Sequence, residues 1–328
     1  MPKVIGTCMV SNEADIIEAF VRHNLQFLDA LVILDHASVD STYSILEKLG
    51  GGERLHIIVL QDKELAFHQG GRQTYLARRY MAELNADFAF ALDADEFIRA
   101  ESREHLQDSL SMVPAGHCAL VPWQNYVSRV GGESSEINPV RRITTRLRSE
   151  SKPTHKVVLS RAFASDTTSQ VALGNHSALR MVEGRYQPFP HVGLREVRLS
   201  HFPVRSAEQI AKKALLGWLS HRLTKPERYM GGQANGTAVP ASHWRELFTG
   251  LAEGKIAVSP ELVQAANRMY VEGYDSRKSN PDEWVEDPLE AGYELRYTHE
   301  GTVTALAALA NWADRLVTVA NSAPEGQK

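Results

Sequence analysis

The sequence predicts an α/β fold: a doubly wound, mostly parallel sheet followed by a helical C-terminal extension. Short apolar segments alternate with amphipathic segments over the first hundred residues, and helical periodicity dominates after residue 206. Strands that alternate with helices in this way form parallel sheets covered by helices on both faces. We therefore expect a nucleotide-binding domain over 1–205 and a helical region over 206–328 that packs on it.

Four apolar segments in the first hundred residues read as buried strands. They are 4–10, 31–34, 55–59 and 88–92. A short apolar segment bounded by polar residues is typical of a strand that is buried on both faces. The segments between them have helical spacing, and one of these helices, over 41–49, ends at three consecutive glycines. Each strand is thus followed by a helix.

The pattern changes after residue 101. Residues 118–123 predict a fifth strand, and 124–200 contain only short extended pieces with many Arg and His residues. Helical spacing returns in four later segments, 206–221, 242–253, 260–272 and 302–319.

Composition narrows the class of protein. The 328 residues carry a net charge of −4, with 43% hydrophobic and 23% charged residues, so nothing global indicates nucleic acid or an anionic membrane as partner. Cys8 and Cys118 lie in apolar segments, which favours buried reduced thiols. The late apolar segment carries Asp314 and Arg315 and is amphipathic, and Met1 leads directly into a strand pattern. We expect a cytoplasmic protein without a transmembrane segment.

The most informative motif is Asp93-Ala94-Asp95-Glu96, which follows the fourth predicted strand. Open α/β sheets bind ligands beyond the carboxyl ends of their strands. Two carboxylates one residue apart at that place can both reach a hard divalent cation and hold a diphosphate through it. The alternative is that they cap the next helix or face solvent.

Polar residues also follow other predicted strands. Asp35 emerges at the end of the second strand, where a carboxylate can accept a hydrogen bond from a base or a ribose. Asp40 and Ser41 fit a plain helix cap better. Arg72 stands at a helix start, where the helix dipole does not favour a cation, which suggests contact with a phosphate or with the strand-end acids. A solvated Arg72 is the alternative.

Several motifs together resemble one family. They are Asn12-Glu13-Ala14-Asp15-Ile16, Asp35-x-x-Ser38, Gln69-x-x-Arg72 and Asp93-Ala94-Asp95-Glu96-Phe97, with a weaker match at His201-Phe202-Pro203-Val204-Arg205-Ser206. Their order and spacing resemble the GT-A-fold glycosyltransferases, most closely the family-2-like group, over about residues 3–100. The resemblance implies a nucleoside-diphosphate sugar as donor, and Mn²⁺ or Mg²⁺ as cofactor.

The resemblance also implies roles for individual residues. The metal ligands would be Asp93, Asp95 and His201. The donor would be bound by Val10, Asn12, Glu13, Asp35, Gln69, Arg72, Asp93, Ala94 and Asp95. His36 and Ser11 depart from the group's usual residues, so the nucleotide is not identified. An imidazole beside carboxylates suits Mn²⁺ better than Mg²⁺.

The catalytic base carries no diagnostic motif. His155 and His176 are the best candidates, because each lies in a short polar turn between strand pieces, although either can equally be structural. Trp123, Asn125 and Tyr126 can form an acceptor platform or belong to core and rim. Basic residues that could hold the leaving phosphates are Lys156, Arg161, Arg205, Lys212 and Lys213.

The leading hypothesis is a metal-dependent glycosyltransferase that acts on a carbohydrate or lipid-linked acceptor, with inversion expected from the family. Polysaccharide biosynthesis is a further expectation from the resemblance alone. A haloacid-dehalogenase-like phosphatase with Asp93 as nucleophile fits poorly, because Phe97 replaces the residue that such enzymes need. A non-catalytic nucleotide-sugar-binding module is the third hypothesis. The sequence identifies neither the sugar, nor the acceptor, nor the oligomeric state.

Overall fold

The computed structural model describes residues 1–128, 135–150, 154–224, 242–271, 284–298 and 303–322. Its centre is a run of parallel strands in the order β3-β2-β1-β4. These strands are β1 (Val4–Val10), β2 (Ala30–His36), β3 (Ile57–Asp62) and β4 (Phe88–Leu92). Because all four run in the same direction, their carboxyl ends lie along one edge of the sheet.

Helices connect the parallel strands. They are α1 (Ile17–Asn24), α2 (Thr42–Glu47), which continues into a π-helical turn at Lys48–Gly52, and α3 (Gln69–Glu83). Alternate residues of β1 face opposite layers: Val4 and Cys8 pack on the side of α1 and α2, whereas Ile5 and Met9 pack on the side of α3. Both faces of the sheet are therefore covered, which explains why the strands are apolar throughout.

The sheet continues beyond β4 with mixed strand directions. The elements that follow β4 are β5 (Glu96–Arg99), α4 (Arg103–Ser111), β6 (Cys118–Val127), α5 (Pro139–Arg142), β7 (Thr145–Leu147), β8 (His155–Ser160), α6 (Arg161–Ser165), β9 (Gln170–Val171), β10 (Ala178–Val182), β11 (Arg185–Pro188), β12 (His191–Gly193) and β13 (Arg198–His201). β8 pairs antiparallel with both β4 and β6, and β13 lies between β5 and β6. β9, β10 and β11 form a separate small sheet.

The C-terminal region is mainly helical. It contains α7 (Ala207–Leu223), α8 (Ser242–Ala252), α9 (Pro260–Tyr270), β14 (Trp284–Glu286) and α10 (Ala305–Ser322). Four helices occur close to the predicted positions, and the fold class is confirmed. β14 was not predicted, and it adds a strand to the sheet by pairing with β7. The division at 205/206 stays a prediction.

Two further features can be compared with the sequence. Cys8 and Cys118 are buried and free, as expected. Among the helices in the described ranges, none combines the length and the apolar character that crossing a membrane requires.

A buried carboxylate ties the C-terminal region to the first helix of the domain. Glu18 of α1 is fully buried and accepts hydrogen bonds from the backbone N–H groups of Arg296, Tyr297 and Thr298 at 2.8–3.0 Å. It also accepts from Arg22 at 2.9 Å. One side chain thus satisfies three consecutive backbone donors of a segment 278–280 positions away.

Glu18→Ala should lower the free energy of unfolding by about 1–3 kcal/mol, the cost of leaving buried donors without an acceptor. Urea unfolding measures this change. Glu104→Ala, at an exposed position of α4, is the matched control. An equal loss of stability in Glu18→Ala and Glu104→Ala would contradict the inference that Glu18 stabilises the packing of the C-terminal region on α1.

Candidate active site

A cavity of about 360 Å³ lies at the carboxyl edge of the parallel strands. The turns after β1, β2, β3 and β4 form its floor, and α7 covers it. The cavity therefore occupies the place where open α/β sheets bind ligands.

One face of α7 lines this cavity along most of the helix. The residues on this face are Gln209, Lys212, Lys213, Leu216, Gly217, Ser220 and His221. At one end, Nζ of Lys213 lies 3.0 Å from Oδ2 of Asp95. At the other end, the ring centroids of His221 and Phe67 are 4.5 Å apart, and the N–H of Phe67 donates to the carbonyl of Ser220 at 3.3 Å. The helix thus crosses from the end of β4 to the loop after β3, and its lining changes from cationic to aromatic.

Both carboxylate oxygens of Asp93 already have partners within the protein. Oδ1 accepts from the side-chain amides of Gln69 at 2.8 Å and Asn175 at 3.1 Å. Oδ2 accepts from Nζ of Lys156 at 2.5 Å. The carboxylate lines the cavity, and three side chains from α3, β8 and the turn before β10 fix its orientation.

Asp95 is buried, with 2% of its surface exposed, and it faces a different set of groups. Burial opposes its ionisation, yet the charges of Lys213 and Arg205 hold the pKa of Asp95 well below its usual range. Its Oδ1 lies 3.6 Å from Nε2 of His201. Asp95 is therefore an ionised carboxylate beside an imidazole at the cavity wall.

A buried guanidinium joins the first motif of the chain to the last. Arg205 pairs with Glu13, donates to Asp15 at 2.6 Å, and lies 3.7 Å from Asp95. Burial raises the pKa of Glu13 to about 6 despite the neighbouring Arg205. The segments 12–16 and 201–206, which both belong to the family resemblance, are thus joined through Arg205.

Lys156 is buried among acids. Its Nζ lies 2.7 Å from Oε1 of Glu96, in addition to its contact with Asp93, and it donates to the carbonyl of Gly174 at 2.8 Å. Burial raises the pKa of Glu96 to about 8. Burial opposes the charge of Lys156, but Asp93 and Glu96 outweigh it and raise the pKa of Lys156. The ammonium is therefore charged.

We call the side chains linked by these ion pairs the charge cluster. It comprises the carboxylates Glu13, Asp15, Asp93, Asp95 and Glu96, the cations Lys156, Arg205 and Lys213, and His201. Burial, together with the charges of Lys156 and Lys213, lowers the pKa of His201, so its imidazole is neutral. Carboxylates thus outnumber cations within the cluster.

The two candidate bases have different positions. His176 lines the cavity, and its Nδ1–H donates to the carbonyl of His155 at 2.9 Å, so its Nε2 carries the lone pair. Loss of solvent around the ring and the charge of Lys156 lower the pKa of His176. His155 is not among the lining residues and contributes through its backbone. Gly174 has a φ of 78°, and a Cβ there would lie 2.8 Å from the ring of His176.

The predicted donor-binding residues divide into two groups. The cavity is lined by Val10, Asn12, Glu13, Gln69, Asp93, Ala94 and Asp95. Asp35 and Arg72 are absent from that lining. Arg72 instead pairs with Asp62 at 2.5 Å and with Glu64 at 3.0 Å, beside the end of β3. Asp35 is 3% exposed, and within the described part of the chain its Oδ1 has no hydrogen-bond partner. Burial raises the pKa of Asp35 to about 6.

Sequence reasoning missed several lining residues. Asn175 was not among the predicted site residues, although its side-chain amide donates to Asp93 at 3.1 Å. The helical region contributes Leu216, Gly217, Ser220, His221, Trp244, Tyr270 and Trp312, which the sequence did not single out. The spacing of Lys213, Gly217 and His221 at four-residue intervals was the available signal, since residues at this spacing share one helix face.

Asp95 and His201 have the chemistry of a manganese site, because Mn²⁺ accepts carboxylate and imidazole ligands together. Asp93 is engaged by Gln69, Asn175 and Lys156. Over the ranges that the structure describes, no group of three or more His, Cys, Asp or Glu side chains has the arrangement of a metal site. The residues present fit a cation held by two protein ligands.

Comparisons with known proteins give the following picture. No protein-family model matches the chain. No curated protein matches it either. Among solved structures, residues 1–349 of TarS from S. aureus are similar, with 14% identity, a TM-score of 0.33 and coverage of 65% of each chain. Glucosyl-3-phosphoglycerate synthase from Mycobacterium tuberculosis, in complex with Mn²⁺, UDP and glucosyl-3-phosphoglycerate, has 17% identity, a TM-score of 0.25 and coverage of 38% of this chain and 44% of that one.

A third similar structure is mannose-1-phosphate geranyltransferase from Thermus thermophilus. It has 11% identity and a TM-score of 0.28, and the match covers 80% of this chain and 67% of that one. The chain spans less than two thirds of the TarS fragment and less than half of the synthase.

Lys156→Met should lower the free energy of unfolding by about 3–5 kcal/mol, because it leaves the buried Glu96 and the half-buried Asp93 without their cationic partner. Chemical unfolding measures the loss, with Lys255→Met, at an exposed lysine, as the matched control. Adding Glu96→Gln to Lys156→Met should recover part of the stability. A double variant no more stable than Lys156→Met would contradict this account of the cluster.

Proposed function

We propose that the protein is a metal-dependent glycosyltransferase that moves a sugar from a nucleoside-diphosphate sugar to an acceptor hydroxyl. One observation carries the proposal: the Asp93 and Asp95 carboxylates lie at the end of β4 in a cavity where α7 presents lysines at this end and an aromatic pair with Phe67 at the other. A ligand with a diphosphate and a flat base matches both ends.

The diphosphate would lie beside Asp95, His201, Lys212 and Lys213. Asp95 and His201 would hold the divalent cation, which when bound offsets the negative charge that develops on the leaving diphosphate. The excess of carboxylates in the charge cluster favours such a cation. Lys213 is 30% exposed, so its ammonium can approach phosphate oxygens, whereas Lys212 lines the cavity but pairs with Asp40 at 3.6 Å.

The nucleoside would lie at the aromatic end. Phe67 and His221 offer ring faces there, and Ala37, Leu65 and Trp312 complete an apolar wall. Aromatic stacking holds a base with little dependence on its identity. Gly217 lies between the two ends of α7, and a Cβ at this position would meet no atom within 4 Å. The open space beside Gly217 would accommodate the middle of the donor.

The acceptor would approach beside His176. His176 lines the cavity, and its Nε2 carries the lone pair that a general base for an attacking hydroxyl would need. Trp123 contacts His176 edge-on, at 5.4 Å between ring centroids, and Trp244 and Tyr270 also line this part. Aromatic side chains of this kind offer apolar faces to a carbohydrate. Inversion and a carbohydrate or lipid-linked acceptor remain expectations from the family resemblance.

Asp95→Asn should lower turnover of the donor by about 100-fold or more, because stabilisation by the metal is worth several kcal/mol. Hydrolysis of UDP-, GDP- and CMP-sugars with Mn²⁺ and with EDTA measures this loss. Asp108→Asn, at an exposed position of α4, is the matched control. Hydrolysis of phosphate monoesters without any action on sugar nucleotides would favour the phosphatase hypothesis, and donor binding without turnover would favour the binding module.

Gly217→Leu should weaken nucleotide binding at least tenfold while leaving the folded protein as stable as before or more stable. The side chain fills the open space, and Leu has a helix propensity about 1 kcal/mol better than Gly. Calorimetry with nucleoside diphosphates and thermal unfolding give the two readouts. The control is Gly71→Leu in α3, because a Cβ at Gly71 also meets no atom within 4 Å and Gly71 lies outside this cavity. Unchanged binding in Gly217→Leu would rule out a ligand along α7.

A further inference from the structure

Asn125 lies between His201 and the helical region. Its Oδ1 is 2.7 Å from Nδ1 of His201, and its Nδ2 donates to the carbonyl of Tyr270 at 3.2 Å. Asn125 and His201 are each 4% exposed. Asn125 is on β6, His201 on β13 and Tyr270 at the end of α9, so the contact joins three separate parts of the chain.

These contacts determine which nitrogen of His201 carries the proton. A backbone carbonyl only accepts, so the amide NH₂ of Asn125 must face Tyr270, and its oxygen must face His201. An amide oxygen also only accepts, so Nδ1 of His201 must be the N–H donor. In a neutral imidazole the other nitrogen, Nε2, then carries the lone pair.

The lone pair has a defined direction because the ring is held on several sides. Trp123 stacks on the imidazole with centroids 4.1 Å apart and an interplanar angle of 8°, and Tyr270 contacts it edge-on at 5.7 Å. Nε2 therefore faces Oδ1 of Asp95 at 3.6 Å. Two acceptors that face each other at this distance repel. The ammonium of Lys213, 3.0 Å from Oδ2 of Asp95, offsets part of this repulsion, and a divalent cation bound by both Nε2 and Oδ1 would offset it directly.

We propose that Asn125 is a positioning residue: it holds His201 in the Nδ1–H tautomer, so that Nε2 and Asp95 are preset to bind a divalent cation. The proposal rests on the metal site of the proposed function. Partners that fix the orientation and tautomer of a metal-ligating histidine typically change metal affinity about 10- to 100-fold when they are removed. The proposal also gives the helical region a role in metal binding, because the carbonyl of Tyr270 orients the Asn125 amide.

The test uses the full-length protein and two readouts. Two-bond ¹H–¹⁵N spectra of ¹⁵N-histidine-labelled protein report the tautomer, and His201→Gln identifies the His201 signals. Titration with Mn²⁺ alone, followed by electron paramagnetic resonance of the free ion, reports affinity. Asn125→Ala removes the acceptor, whereas Asn125→Asp keeps an oxygen facing Nδ1. Gln124→Ala, next to it on β6, is the matched control.

The expected result is an Nδ1–H tautomer in the wild type, loss of that tautomer in Asn125→Ala, and an Mn²⁺ affinity lowered about 10- to 100-fold. Asn125→Asp should keep the wild-type tautomer, and Gln124→Ala should keep both the tautomer and the Mn²⁺ affinity. An Nε2–H tautomer in the wild type, or normal Mn²⁺ affinity in folded Asn125→Ala, would overturn the proposal.

Absence of Mn²⁺ binding by the wild type would overturn it as well. Donor hydrolysis measured in EDTA then shows whether the transferase proposal survives without a metal. Conversely, correct tautomers and Mn²⁺ affinities in a protein that acts on no sugar nucleotide would leave the positioning by Asn125 intact and remove the proposed function. The two proposals can therefore fail separately.

Discussion

The buried ion pairs of Arg205 are the interaction on which the candidate site depends. A guanidinium taken out of water needs close counter-charges, and here Glu13 and Asp15 come from the turn after β1 while Arg205 follows β13. The pairing brings two segments 190 positions apart to the same place and leaves Asp95 at 3.7 Å. The start of α7 follows Arg205 directly, so this contact also sets where the helix enters the cavity.

The two aspartates of the D-x-D motif have different surroundings, and this separates their roles. Asp93 accepts hydrogen bonds from one ammonium and two amides. These donors stabilise its charge and occupy both of its carboxylate oxygens. Asp95 accepts from the ammonium of Lys213 through Oδ2, whereas its Oδ1 faces a neutral imidazole. Lys156 also lies 2.7 Å from Glu96 and opposes the rise of its pKa that burial, Asp93 and Asp95 cause. Glu96, which does not line the cavity, thus helps to hold Lys156. Lys156 in turn orients Asp93, which does line the cavity.

Much of the fold could be predicted because its strands are buried on both faces, which makes 4–10 and 88–92 apolar in sequence as well as in structure. The position of Asp93 and Asp95 followed from the end of such a strand. Arg72 shows the limit of this reasoning: its charge indicated an acidic partner, but the local sequence could not tell Asp62 of β3 from the acids of β4. Asn175 contacts Asp93, 82 positions away, and Tyr270 contacts Asn125, 145 positions away. The local periodicity of a sequence does not predict contacts over such separations.

The helical region contributes to the candidate site because the turns at the sheet edge line only one side of the cavity. The turns after the strands supply carboxylates, whereas the lysines at positions 212 and 213 and the aromatic ring of His221 come from α7. A ligand with an anionic centre and a flat apolar end gains from both only if it lies along the helix, with its anionic end toward Asp95. Under the proposed function, the order of side chains on α7 would set the direction of the ligand, and the turns of the sheet would set its depth. An exchange of the cationic and aromatic positions on that helix would retain the cavity and reverse the preferred direction.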